Sequence, residues 1–166
     1  MIMFNVKTFT LIHVAISLIA IVSGFIVVFG LISSKRLNGL TAFFLATTIA
    51  TSVTGFGFPI KGVTPGMVLG VISLVVLAIA VYARYAGRLK GAWRLVYVIT
   101  AVIALYLNFF VLIVQSFQKV PALAALAPTQ SEPPFAVAQV VALVVFIALG
   151  VLAGKRFGEQ PIGAIA

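Results

Sequence analysis

The sequence predicts an all-α fold: a polytopic membrane bundle of five transmembrane helices, N-terminus outside and C-terminus cytoplasmic. Three observations predict it. Of 166 residues, 63% are apolar and only 8% are charged, whereas a soluble domain carries about a quarter charged residues. Uncharged apolar stretches recur at the length that crosses about 30 Å of hydrocarbon as a helix. The basic residues sit at the ends of those stretches, where they act as a topology signal. The short connections leave one transmembrane domain over residues 1–166.

The first span runs from about Phe9 to Ile32 and ends at the basic turn Ser33-Ser34-Lys35-Arg36. It lacks a basic n-region and an A-x-A-like cleavage site, so it reads as a retained span rather than a signal peptide. The second runs from Thr41 to Phe58 and stops at Pro59. It is rich in hydroxyl side chains: Thr41, Thr47, Thr48, Thr51, Ser52 and Thr54 precede Gly55 and Gly57. After the loop Ile60 to Pro65, the third span covers Gly66 to Ala83. The fourth covers Leu95 to Phe117. A Pro-rich segment, Gln118 to Pro134, leads to the fifth span, Phe135 to Gly154. Within that segment, Val120 to Ala127 is apolar and reads as an interfacial or re-entrant helix.

Orientation follows from the basic residues. One side collects Lys35, Arg36, Arg84, Arg88, Lys90, Arg94, Lys155 and Arg156, and the other only Lys7, Lys61 and Lys119. The richer side is expected in the cytoplasm. Trp93, Tyr82, Tyr85 and Tyr97 lie near the same side, where an aromatic belt sits. A weak repeat accompanies the spans. Ile16-Ser17-Leu18 echoes Ile72-Ser73-Leu74, and Arg36-Leu37-Asn38-Gly39 echoes Arg88-Leu89-Lys90-Gly91. Either a hairpin has been duplicated or apolar segments resemble one another by chance.

Composition excludes much chemistry. The net charge is +9, but its placement at span ends argues for lipid headgroups and against nucleic acid. With no Cys and a single His, the chain has no thiol nucleophile and no iron–sulfur ligands. Two Glu and no Asp cannot build a di-metal carboxylate site. No cofactor is implied. A haem or quinone at His13, with Met67 near the same surface, is the redox alternative, but one His cannot supply both axial ligands of a span-crossing haem.

Polar side chains inside hydrocarbon must find partners, so they face the bundle interior or a cavity. Their depth is informative. His13 and Ser17 lie in the outer half of the first span, and Thr51 and Thr54 in the outer half of the second. Asn108 and Gln115 belong to the fourth, and Gln139 enters the fifth from outside. With Glu132, the acid at the entrance to the fifth span, these residues form a candidate outward-facing ligand pocket. The plainer reading is a set of separate helix–helix hydrogen bonds, with Glu132 placed for the helix dipole. His13 is the one intramembrane side chain that titrates near neutrality. On the opposite side, Arg84, Arg88, Lys90 and Arg94 form a candidate headgroup-binding cluster, with topology alone as the plain alternative. The G-x-x-x-G pairs Gly66/Gly70 and Gly150/Gly154 suit close packing, inside the bundle or against a partner helix.

The runs Thr51-Ser52-Val53-Thr54-Gly55-Phe56-Gly57-Phe58-Pro59 and Ala127-Pro128-Thr129-Gln130-Ser131-Glu132-Pro133-Pro134-Phe135 resemble segments of small, uncharacterised bacterial multi-pass membrane proteins. The resemblance implies a bacterial inner-membrane location and lends no catalytic residue. The expected function is an accessory or structural membrane subunit without chemistry of its own. It is expected to have membrane lipids and a partner membrane protein or further copies of itself as partners, and not nucleic acid. Small-molecule binding or transport through the outer pocket is one alternative, and haem- or quinone-linked redox chemistry the other.

Overall fold

The computed structural model describes residues 6–59 and 62–158. Helices make up 83% of them and no strand occurs among them. Six α-helices follow one another: α1 (Val6–Ile32), α2 (Asn38–Gly55), α3 (Pro65–Val81), α4 (Ala92–Lys119), α5 (Pro121–Leu126) and α6 (Pro133–Arg156). A π-helical turn, Tyr82–Ala86, continues α3. Four segments are long and apolar enough to cross a membrane: α1, α3 with its π turn, α4 and α6. Their positions agree with the first, third, fourth and fifth spans read from hydropathy.

The second expected span is the exception. Its helix runs from Asn38 to Gly55 rather than from Thr41 to Phe58. At about 1.5 Å per residue it is about 27 Å long, and its hydroxyl groups lower its hydropathy. Every one of those hydroxyls beyond Thr41 reaches back to its own helix. Thr47 and Thr48 donate to the Phe44 carbonyl, Thr51 to Thr47, Ser52 to Thr48 and Thr54 to Ala50. Such bonds hide the polarity of the side chain. The expected basic residue Lys61 lies outside the described residues, and the short apolar helix expected near Val120 to Ala127 is α5.

Helix ends follow local chemistry. Pro65 and Pro133 open α3 and α6 at positions where a missing N–H costs nothing. The Thr64 hydroxyl accepts from the Met67 N–H and caps α3. α2 has no side-chain cap, because Leu37 occupies the N-cap position.

The packing closes a ring. α1 touches α2, α2 touches α3, α3 touches α4, α4 touches α6, and α6 returns to α1. α1 and α4 also meet across the middle. Neighbours in sequence are antiparallel: His13 meets Thr54 near one end of the α1–α2 seam, and Gly30 meets Leu37 at the other. At the waist, α1 comes so close that a Cβ on Gly24 would stand 2.6 Å from Leu105 and 2.7 Å from Phe44. Around this point the core is fully buried: Ala20, Val28, Phe44, Ala101, Ala104 and Leu105 are all 0% exposed. An aromatic cluster lies beside it, with Phe146 of α6 within 5.7 Å, centroid to centroid, of Phe25, Tyr106 and Phe109.

The glycine pairs turn mostly inward. Cβ atoms on Gly150 and Gly154 would meet Val102 and Leu95 of α4 at 3.5 and 3.2 Å, and one on Gly70 would meet Phe56 at 2.9 Å. These glycines let α6 approach α4 and let Phe56 lie on α3. The surface of the bundle carries large apolar side chains such as Val22, Phe29, Val75, Val137 and Ile147.

Candidate functional sites

The polar residues at the His13 end continue the inward stripes of their helices. On α1, His13 and Ser17 share a face with buried Ala20, Gly24 and Leu31. On α4, Asn108 and Gln115 extend the face that buries Tyr97, Ala101 and Leu105. On α6, Gln139 stands over Ala142 and Phe146. The core is therefore apolar at the waist and polar toward this end.

The structure divides these residues between two seams. At the α1–α2 seam, His13 Nδ1 lies 2.8 Å from Thr54 Oγ1. Thr54 has one proton and directs it to the Ala50 carbonyl at 2.7 Å. His13 therefore donates from Nδ1, and Nε2 keeps the free lone pair. Phe58 stands edge-on to the imidazole at 5.2 Å, and Phe9 packs on Phe58 at 5.0 Å. Ser17 donates to the His13 carbonyl, so it and Thr51 are satisfied within their own helices. Deeper, the hydroxyl oxygens of Ser52 and Ser73 lie 3.1 Å apart, a contact that ties α2 to α3.

At the α4–α6 seam, Gln139 Nε2 donates to the Phe110 carbonyl at 3.4 Å. Its Oε1 is buried without a partner; so is the Nδ2 of Asn108, on the stripe of α4 that carries Leu105. Gln115 is half-buried on the same stripe. Glu132 belongs to neither seam. It turns back on its own loop, accepting from the N–H groups of Thr129 and Ser131 and from the Thr129 hydroxyl at 2.9 Å. Slight desolvation raises its pKa, but these hydrogen bonds outweigh it, and the net shift is downward.

Two predictions arise here. Thr54→Val removes the hydrogen-bond partner that His13 has among the described residues, without changing shape, and is expected to destabilise the bundle by about 1 kcal/mol. Ser17→Ala, which breaks only a bond within one helix, is expected to be near neutral; thermal unfolding in detergent compares the two. The second concerns pH. Because the folded pKa of Glu132 is depressed, its contribution is present above the ordinary carboxylate range and disappears as pH falls through the folded value. Protection of the Thr129 and Ser131 amides, taken relative to the intrinsic exchange rate at each pH, is expected to fall at low pH, and Glu132→Gln is expected to abolish that change in protection.

At the opposite end, the cationic cluster separates into two roles. Arg94 reaches the carbonyls of Gly154 and Phe157 and caps the C-terminal end of α6. Lys90 is exposed in the turn before α4. Arg84 is only 8% exposed. Its Nη2 donates to Asn38 Oδ1 at 2.7 Å, and its guanidinium lies 5.2 Å from the Tyr97 ring centroid. Arg88 stands beside it and joins Arg36, Asn38, Arg84, Tyr85 and Leu89 around a cavity of about 270 Å³. Arg36 and Asn38 were not among the residues expected at this site. The signal for Arg36 was the repeated Arg-Leu-x-Gly turn, whose two arginines both line this cavity.

No protein-family model matches the chain, and no curated protein or solved structure is detectably similar to it.

Proposed function

We propose that the chain is an integral membrane protein of the bacterial inner membrane that serves as an accessory or structural subunit without chemistry of its own. The observation that carries this reading is the use made of its interior polar groups. His13–Thr54, Ser52–Ser73 and Gln139 with the Phe110 carbonyl each tie one helix to the next. These side chains hold the bundle together, as polar residues do between helices in lipid. In this reading α2 is the fifth span. Its back-bonded hydroxyls and its place between α1 and α3 support a spanning position. Contacts of Arg84 with Asn38, Ser34 with Arg156 and Arg94 with Phe157 gather the basic residues at one end. The positive-inside rule then places that end in the cytoplasm and the N-terminus outside. The resemblance of the Thr51–Pro59 and Ala127–Phe135 runs to bacterial multi-pass proteins supports the location.

The test is native mass spectrometry of the protein extracted gently from its own membranes. A second polypeptide, or a defined number of copies, is the expected result. A lone chain under conditions that preserve other membrane complexes overturns the reading. A second reading, small-molecule binding, is favoured by Asn108 Nδ2 and Gln139 Oε1. One is a donor and the other an acceptor, and burying either unpaired costs about 1–3 kcal/mol. A bound polar molecule at either atom would satisfy it. A small-mass increment in the same spectra, lost in Gln139→Leu, is its expected signature; its absence from the wild-type protein overturns it.

A further inference from the structure

We propose that the cavity between the π turn and the start of α2 binds a phosphate-class anion. Arg36, Arg84 and Arg88 would supply the charge, and the first turn of α2 would supply backbone donors. The site is independent of the subunit reading above.

The first argument is electrostatic. Arg84 is more than nine-tenths buried, yet no carboxylate pairs with it among the described residues. A neutral amide, Asn38, and the face of Tyr97 are its neighbours. These soften the burial of a charge but do not neutralise it. Arg36 Nε is also buried without a partner. Two guanidinium groups with unsatisfied charge or donors thus frame the same cavity, and Arg88 adds a third.

The second argument comes from the backbone. The N-cap residue of α2 is Leu37, and the first intrahelical bond runs from the Thr41 N–H to the Leu37 carbonyl. The N–H groups of Asn38, Gly39 and Leu40 precede that bond and have no cap. A helix start of this kind carries partial positive charge and suits an anion.

The third argument is the geometry that holds the arginines in place. The π turn shifts the register of α3 at Arg84, and such insertions recur at functional sites. Arg88 and Leu89 both adopt positive φ, 50° and 56°, a strained conformation for non-glycine residues. Leu89 is held there: its side chain is 5% exposed and its N–H donates to the Ala83 carbonyl. The strained turn keeps Arg88 at the cavity rim. Planar guanidinium forks match the oxygens of a phosphate better than point charges would. Trp93 packs edge-on to Tyr82, the first residue of the same π turn, at 5.0 Å, an aromatic pair of the kind found at the depth of lipid phosphates.

Two sources share this chemistry: the phosphodiester of an anionic lipid and a soluble phosphate group. Two assays on the whole protein separate them. In the first, native mass spectrometry reads retained lipid after reconstitution in phosphatidylcholine with phosphatidylglycerol. In the second, thermal unfolding in neutral detergent is compared in inorganic phosphate and in chloride at equal ionic strength. Retained phosphatidylglycerol assigns the site to a headgroup; a phosphate-specific rise in unfolding temperature without lipid retention assigns it to a soluble anion. In either case Arg36→Gln and Arg88→Gln, both at accessible positions, are expected to weaken the response roughly tenfold. Lys90→Gln, a neighbouring charge off the cavity, is expected to leave it unchanged. No response in either assay overturns the proposal. An equal loss in Lys90→Gln overturns it too, because the effect would then be general surface charge.

Discussion

Phe44→Ala is expected to destabilise the bundle by about 2–4 kcal/mol. Phe44 is 0% exposed and fills the waist where α1, α2 and α4 meet. In water such a truncation costs about 3–5 kcal/mol, part of it transfer of the side chain and part of it the cavity left behind. In lipid the transfer part shrinks, because a detached helix still surrounds its phenylalanine with hydrocarbon. The cavity part remains, since Leu105 and Gly24 are held by their own helices and cannot close the gap. Phe43, the next residue, is 49% exposed on the opposite face. Phe43→Ala is therefore expected to change stability by less than about 0.5 kcal/mol. Reversible unfolding in mixed detergent compares the pair. Equal losses would mean that α2 is not packed at the waist through Phe44.

Gly87→Ala is expected to disturb the turn that carries Arg84 and Arg88, at a cost of about 1–3 kcal/mol. A Cβ at Gly87 would lie 2.5 Å from Trp93 Cγ and 2.9 Å from the Ala83 carbonyl oxygen. The second contact is with backbone and cannot be relieved by a rotamer change. The same carbonyl receives the Leu89 N–H, so displacing it loosens the strained turn as well. Trp93 is the only tryptophan, so its emission reports the change directly. Gly39→Ala, with nothing within 4 Å of the new Cβ, is expected to leave that emission unchanged. An unaltered spectrum in Gly87→Ala would show that the turn does not pack on Trp93.

The four long apolar helices were legible in the sequence because hydropathy and length alone reveal them. Any chain that crosses hydrocarbon must bond its own backbone along a long apolar run, and α1, α3, α4 and α6 are such runs. α2 was legible as a helix but not in its limits. Its hydroxyl groups offset its hydropathy, and whether a threonine bonds its own helix or a neighbour is decided by packing. For the same reason the His13-end residues could be grouped by depth but not by partner. Thr54 meets His13, and Thr51, on the same helix, meets nothing beyond its own backbone. The arginine cavity was the least legible feature. Its deciding contact joins Arg84, at the end of α3, to Asn38, at the start of the neighbouring α2, and nothing in the sequence near either residue announces the other. Arg94, grouped with Arg84 by sequence, is instead drawn off by the carbonyls at the end of α6.

The closure of the ring by α6 has a consequence for biogenesis. The groove between α1 and α4 that receives Phe146, its walls joined where Phe25 packs on Phe109, can exist once α1 to α4 have been synthesised. Phe25, Tyr106 and Phe109 then face hydrocarbon or the insertion machinery until α6 arrives. Assembly of this bundle cannot simply follow the order of the chain: α1 must wait, one face unfilled, for α6.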